Sequence, residues 1–193
     1  IERLLQMSSK SGRHFLQVPG PTNVPDRIIR AMARPTIDHR GPDFAALTLE
    51  IIPRLQRVFG TTAPVIIFPS SASGAWEAAI ANTLSAGDKI LMFDSGFFAG
   101  SWRGIAESFG LDVEIITCDW REGINPITIE KKLKEDSSHD IKSVMVVHNE
   151  TSTSVTNEIP PIRGAINNAN HPALLMVDAV SSGASVEYLH DDW

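Results

Sequence analysis

From residue 64 onward the chain sets short apolar runs between amphipathic stretches. Val65-Ile66-Ile67-Phe68, Ile90-Leu91-Met92-Phe93, Val113-Glu114-Ile115-Ile116, Val144-Met145-Val146-Val147 and Ala173-Leu174-Leu175-Met176-Val177 are apolar at nearly every position. That predicts strands covered on both faces, as in a parallel sheet. Between them, residues 75–84, 98–109, 127–134 and 162–168 place apolar side chains at helical spacing. Strands alternating with helices predict βαβ units, so the expected fold class is α/β, a mostly parallel sheet with helices on both faces. Upstream, residues 24–34 carry Ile28, Ile29 and Met32 at helical spacing, with Pro25 suited to a first turn. Residues 42–59 repeat the pattern with Phe44, Leu47, Ile51, Leu55 and Val58, and Pro53 is expected to kink or interrupt that helix. Residues 1–23 read as an irregular arm ending in Val18-Pro19-Gly20-Pro21-Thr22-Asn23. Its Leu4, Leu5, Phe15, Leu16 and Val18 call for a surface to dock on.

In open α/β sheets ligands collect outside the carboxyl ends of the strands, so the residues that follow each run carry the candidate chemistry. Asp178 closes the last apolar run, where a carboxylate either caps the next turn or partners a ligand. After residue 68, Pro69-Ser70-Ser71-Ala72-Ser73-Gly74-Ala75 opens straight into a helix. Small side chains, hydroxyls and a helix N-terminus suit a phosphate, and equally a serine-rich cap with no ligand. It matches neither a P-loop nor a dinucleotide fingerprint. Asp94-Ser95-Gly96-Phe97-Phe98 brings aromatics to the same edge, either as core or as a stacking platform. His148-Asn149-Glu150-Thr151-Ser152-Thr153-Ser154 is dense in hydrogen-bonding groups, a solvated loop or part of a site.

Composition narrows the classes. The net charge of −6 and the lack of any basic cluster longer than Lys131-Lys132 argue against nucleic acid as partner. A single cysteine, Cys118, cannot form an internal disulfide or a multi-cysteine zinc site, and no metal site is expected. No apolar stretch approaches the roughly 20 residues of a membrane span, so no membrane partner is expected.

A phosphate cradle, an aromatic platform, a hydroxyl and a buried carboxylate describe a site for a planar ring with a phosphate and a basic nitrogen. Pyridoxal 5′-phosphate has that shape, and a carboxylate beside its pyridine nitrogen keeps the nitrogen protonated. The ordered motifs Pro19-Gly20-Pro21-Thr22-Asn23-Val24-Pro25, Asp38-His39-Arg40-Gly41-Pro42, Ser73-Gly74-Ala75-Trp76-Glu77, Val147-His148-Asn149-Glu150-Thr151 and Val177-Asp178-Ala179-Val180-Ser181-Ser182 resemble those of the class V aminotransferases of fold type I. Within that family they resemble the serine–glyoxylate and alanine–glyoxylate branch more than the cysteine desulfurases or kynureninase-like hydrolases.

The resemblance implies pyridoxal 5′-phosphate as cofactor and transamination of serine or alanine with glyoxylate, giving glycine and a 2-oxo acid. It implies that Ser71, Ala72 and Ser73 form the phosphate turn, with Ala72 where many relatives have glycine. Phe98 would stack on the ring, Thr151 bond its phenolic oxygen or nearby groups, Asp178 pair with its nitrogen, Val180 pack against it, and Gly20 belong to the loop over the substrate. Ser154 stands where many relatives have glycine. Residues 1–23 would be the arm and substrate loop, and 24–193 part of the large cofactor-binding domain of fold type I, incomplete at its C-terminus. The family's Schiff-base lysine is expected beyond Trp193, with the small C-terminal domain. The chain begins at Ile1 and stops at His190-Asp191-Asp192-Trp193, so it reads as an inactive N-terminal fragment of an enzyme, or else as a truncated binding or dimerisation module. Family members assemble as homodimers or larger, and a peroxisomal or a cytoplasmic location fits equally.

Overall fold

The structure, a computed structural model, describes residues 15–193; Leu4, Leu5 and Lys10 lie outside the described residues. The chain divides into two compact units, residues 1–44 and 45–193. In the first, α1 (Asp26–Met32) starts after Pro25, and α2 (Pro42–Phe59) begins there and runs into the second. Pro53 lies inside α2 without ending it. Neither helix fully buries a residue; most of their apolar side chains are exposed, while Ile52, Leu55 and Phe59 of α2 are half-buried.

Four of the five predicted strands form the sheet of the second unit: β1 (Lys89–Asp94), β2 (Asp112–Thr117), β3 (Ile141–Val147) and β6 (Leu174–Asp178), all parallel, in the order β2-β1-β3-β6. Alternation along each strand assigns side chains to opposite faces. Ile90, Met92, Met145 and Val147 pack with α3 (Ala72–Thr83) and α4 (Phe97–Ser108). Leu91, Phe93, Val144 and Val146 pack with α5 (Pro126–Glu135) and α6 (Ile159–Asn168). Both faces are therefore covered, which is why every residue of the β1 run is apolar. Local signals set the helix starts, as where Asn125 accepts the Ile127 N–H at 3.0 Å and Pro126 takes the first turn of α5.

The run 65–68 corrects the prediction, since it forms no strand. Ile66, Ile67 and Phe68 are 73%, 62% and 51% exposed. A strand exists only where a neighbour completes its hydrogen bonds, and none of the four sheet strands pairs with this run. The polar stretch after β3, in turn, is a two-stranded hairpin, β4 (Asn149–Glu150) with β5 (Val155–Thr156).

Candidate functional site

The strand order reverses around β1 and β3, and the ends of those strands and of β6 form one edge where crossover connections part in opposite directions. Backbone and side-chain bonds stitch this edge together. The His148 N–H donates to the Asp178 carbonyl at 2.8 Å, and Ser181 Oγ donates to the Asn149 carbonyl at 2.7 Å. Ser182 Oγ sits 3.0 Å from His148 Nδ1, and both residues are buried.

Asp178 ends β6 at 7% exposure. Its Oδ1 accepts the Val180 N–H at 2.8 Å, and the Trp76 indole lies beside the carboxylate. Burial pushes its carboxyl up, the Val180 and Trp76 donors pull it back, and the charge of Glu150 adds to the rise, leaving it above the ordinary aspartate value. A carboxylate so placed gains from a cation against it. Trp76 itself is fixed by stacking on Trp102, with centroids 5.6 Å apart.

Asp178 lines a cleft of about 1030 Å³ together with Ala72, Ala75, Trp76, Val180 and Tyr188. Ser71 is the N-cap of α3 and Ala72 and Ser73 are its first residues, and no side chain caps that N-terminus. Gly74 is needed there because a Cβ would lie 2.2 Å from Ser70 Oγ. Ala72 takes ordinary helical geometry, so an alanine there imposes no backbone cost relative to glycine. Val180 is 69% exposed beside Asp178.

The N-terminus of α4, the other helix opening at this edge, is already filled. Glu150, with no solvent exposure, points its carboxylate at the Phe98 N–H (3.1 Å) and the Ala99 N–H (3.1 Å). An anion cradle at α4 is thus taken by the protein's own carboxylate, while no side chain fills the N-terminus of α3. Phe98 is half-buried on the core formed around Trp76 and Trp102, and Thr151 follows Glu150 in the hairpin turn. Ser71, Ala72, Ser73, Asp178 and Val180 therefore gather around α3 and the end of β6, and Phe98 and Thr151 are joined through Glu150. Gly20 belongs to the first unit, at φ +115 before a cis peptide to Pro21.

Sequence reasoning missed Trp76, Glu150, Ser152, His148 and Ser182. Glu150 stood in a motif it quoted, yet only a burial pattern could have separated that carboxylate from a solvated one. Among the described residues no group of His, Cys, Asp or Glu could hold a metal ion, and no helix is long and apolar enough to cross a membrane.

Residues 14–188 match the model of the family "Aminotransferase class-V". The serine–glyoxylate aminotransferase of Methylorubrum extorquens is 47% identical over 185 residues, covering 95% of this chain and 46% of that protein. The serine–glyoxylate aminotransferase of Arabidopsis thaliana is 42% identical, over 94% of this chain and 46% of that protein. The crystal structure of alanine–glyoxylate aminotransferase from Nostoc sp. matches with a TM-score of 0.85 at 29% identity, over 99% of this chain and 50% of that one. The chain thus spans about half the length of the curated relatives it matches.

Proposed function

Since the chain belongs to the class-V aminotransferase family, we propose that the full-length protein is a pyridoxal-phosphate-dependent transaminase. It moves the amino group of a small amino acid, serine or alanine, to glyoxylate, giving glycine and a 2-oxo acid. The observation that carries the reading is Asp178: a buried carboxylate, held above its ordinary pKa, in one cleft with the uncapped N-terminus of α3. The residues present fit the cofactor. Amides and hydroxyls of Ser71, Ala72 and Ser73 would hold the phosphate, Asp178 the pyridine nitrogen, and Val180 one ring face. Phe98 would supply the platform, Thr151 a hydroxyl, and Gly20 part of the loop over the substrate.

When bound, the cofactor supplies an electron-withdrawing ring that stabilises negative charge at the substrate's α-carbon. Asp178 would keep a proton on the ring nitrogen, since a carboxylate in a desolvated setting favours an opposite charge beside it. A lysine must move the substrate's α-proton. Lys89 and Lys142 lie at the starts of β1 and β3, at the opposite edge of the sheet, and Lys131, Lys132 and Lys134 lie on α5. We therefore place that lysine in the part of the full-length protein outside these 193 residues. A homodimer or a larger assembly is part of this proposal, as the family resemblance implies.

The relatives named as serine–glyoxylate aminotransferases favour serine as donor. Incubating the full-length protein with pyridoxal 5′-phosphate, glyoxylate and serine or alanine should yield glycine, and none from either donor rejects the assignment. Asp178→Ala should lower turnover roughly tenfold or more, because the protonated nitrogen loses the opposite charge beside it. Near-normal turnover removes Asp178 from the site.

A further inference from the structure

Glu150 ends β4, directly before Thr151, its side chain reaches the helix turn that carries Phe98, and it has no solvent-exposed surface. A buried carboxylate is costly unless donors fill its lone pairs. Here they do. Oε2 accepts the Phe98 and Ala99 N–H groups, each at 3.1 Å. Oε1 accepts the Ser152 N–H at 3.1 Å and Ser152 Oγ at 2.7 Å. Ser152 Oγ in turn accepts the Phe97 N–H at 3.0 Å, so a second path runs from the helix through the serine to the same carboxylate. Close packing completes the joint: Gly96 sits at φ +153, and a Cβ there would lie 2.4 Å from Glu150 Cγ. The first turn of α4 contributes two backbone donors and its positive end directly to one side chain 52 residues away, and a third donor through Ser152, across the place where the strand order reverses.

We propose that Glu150 is the positioning residue of this site: its carboxylate ties the first turn of α4, which carries Phe98, to the hairpin turn, which carries Thr151. It thereby sets the spacing of the two groups on which the cofactor ring would rest. The inference relies on the transaminase reading for the ring. The joint itself involves only this chain. Glutamine keeps the shape of Glu150 but turns an N–H₂ toward donors that need an acceptor, so either the helix or Ser152 must let go.

The test uses the full-length protein as wild type, Glu150→Gln, Phe98→Ala and the double variant. Thermal midpoints are taken first. Pyridoxal 5′-phosphate affinity and the visible circular dichroism of the bound cofactor are then measured well below every midpoint, where a merely stabilising residue would leave both unchanged. Glu150→Gln should weaken cofactor affinity roughly tenfold, the loss typical of hydrogen bonds to a charged group, and reduce the visible dichroism. The double variant should lose less than the product of the two single losses, because both act on one platform. Losses that multiply, or a Glu150→Gln protein with wild-type affinity and dichroism, overturn the proposal. Should Glu150→Gln fail to fold, Ser152→Ala removes only the serine path. It should cost roughly threefold, again less than multiplicatively with Phe98→Ala, and multiplying losses count against the proposal equally. A wild-type protein that binds no pyridoxal 5′-phosphate would sink the transaminase reading and this one with it, an outcome distinct from failure of the variants alone.

Discussion

Ser154 occupies the left-handed region at φ +62, where its N–H reaches the Glu150 carbonyl at 2.8 Å to close the hairpin turn. That conformation is costly for a side chain bearing Cβ and nearly free for glycine. Glycine at this position would have its explanation in the backbone rather than in any ligand. Ser154→Gly should stabilise the protein by about 1 kcal/mol, the low end of the strain of a non-glycine residue at positive φ. Urea unfolding checks it, and an unchanged midpoint would mean that the turn carries no such strain. Ala72 makes the opposite case, because its helical geometry suits alanine and glycine alike. Both departures from the family pattern were visible as letters. Which one matters was not, because φ follows from the path of the whole turn.

At the scale of elements, the carboxyl ends of β3 and β6 are held by His148, Ser182 and the aromatic rings of Tyr188 and Trp193. Burial lowers the His148 pKa below its ordinary value of 6.5. A folded-state pKa below the unfolded one gives stability that is present above the unfolded value and lost as pH falls toward the folded one. Stability should therefore drop as pH falls below about 6.5, where His148 must either stay neutral or charge in a buried setting. A His148→Asn variant should give a flatter profile over that window. Parallel slopes for the two proteins would exonerate His148. The helices α3 and α4 differ in what fills their N-termini, and periodicity predicts both helices without revealing that difference. It could not, since the carboxylate at α4 arrives from a strand pair 52 residues on.

For the molecule as a whole, the telling feature is an unfinished sheet. Among the described residues β6 pairs only with β3, and its first residue Leu174 is 48% exposed. The apolar run 65–68 has no partner strand among the described residues. An open edge beside exposed aliphatic side chains is a template for pairing with another chain. Expressed alone, the 193-residue chain should associate in a concentration-dependent manner, and Ile67→Lys with Leu174→Lys should reduce that association while leaving the thermal midpoint within about 1 kcal/mol of its equivalent stability, as surface changes do. Light scattering across a dilution series checks it; a wild-type chain that scatters as one species at every concentration contradicts it. The sequence by itself determined the α/β class, the parallel sense of the sheet, the helices on both its faces and the residues at the strand ends, because period and apolar run length are local and are written in order. Tertiary structure decided which of those residues meet: Ala72 with Asp178 across one cleft, Glu150 with the first turn of α4, and residues 65–68 with no strand at all. Pairing and burial depend on what lies alongside, and a chain read in one dimension does not contain its neighbours.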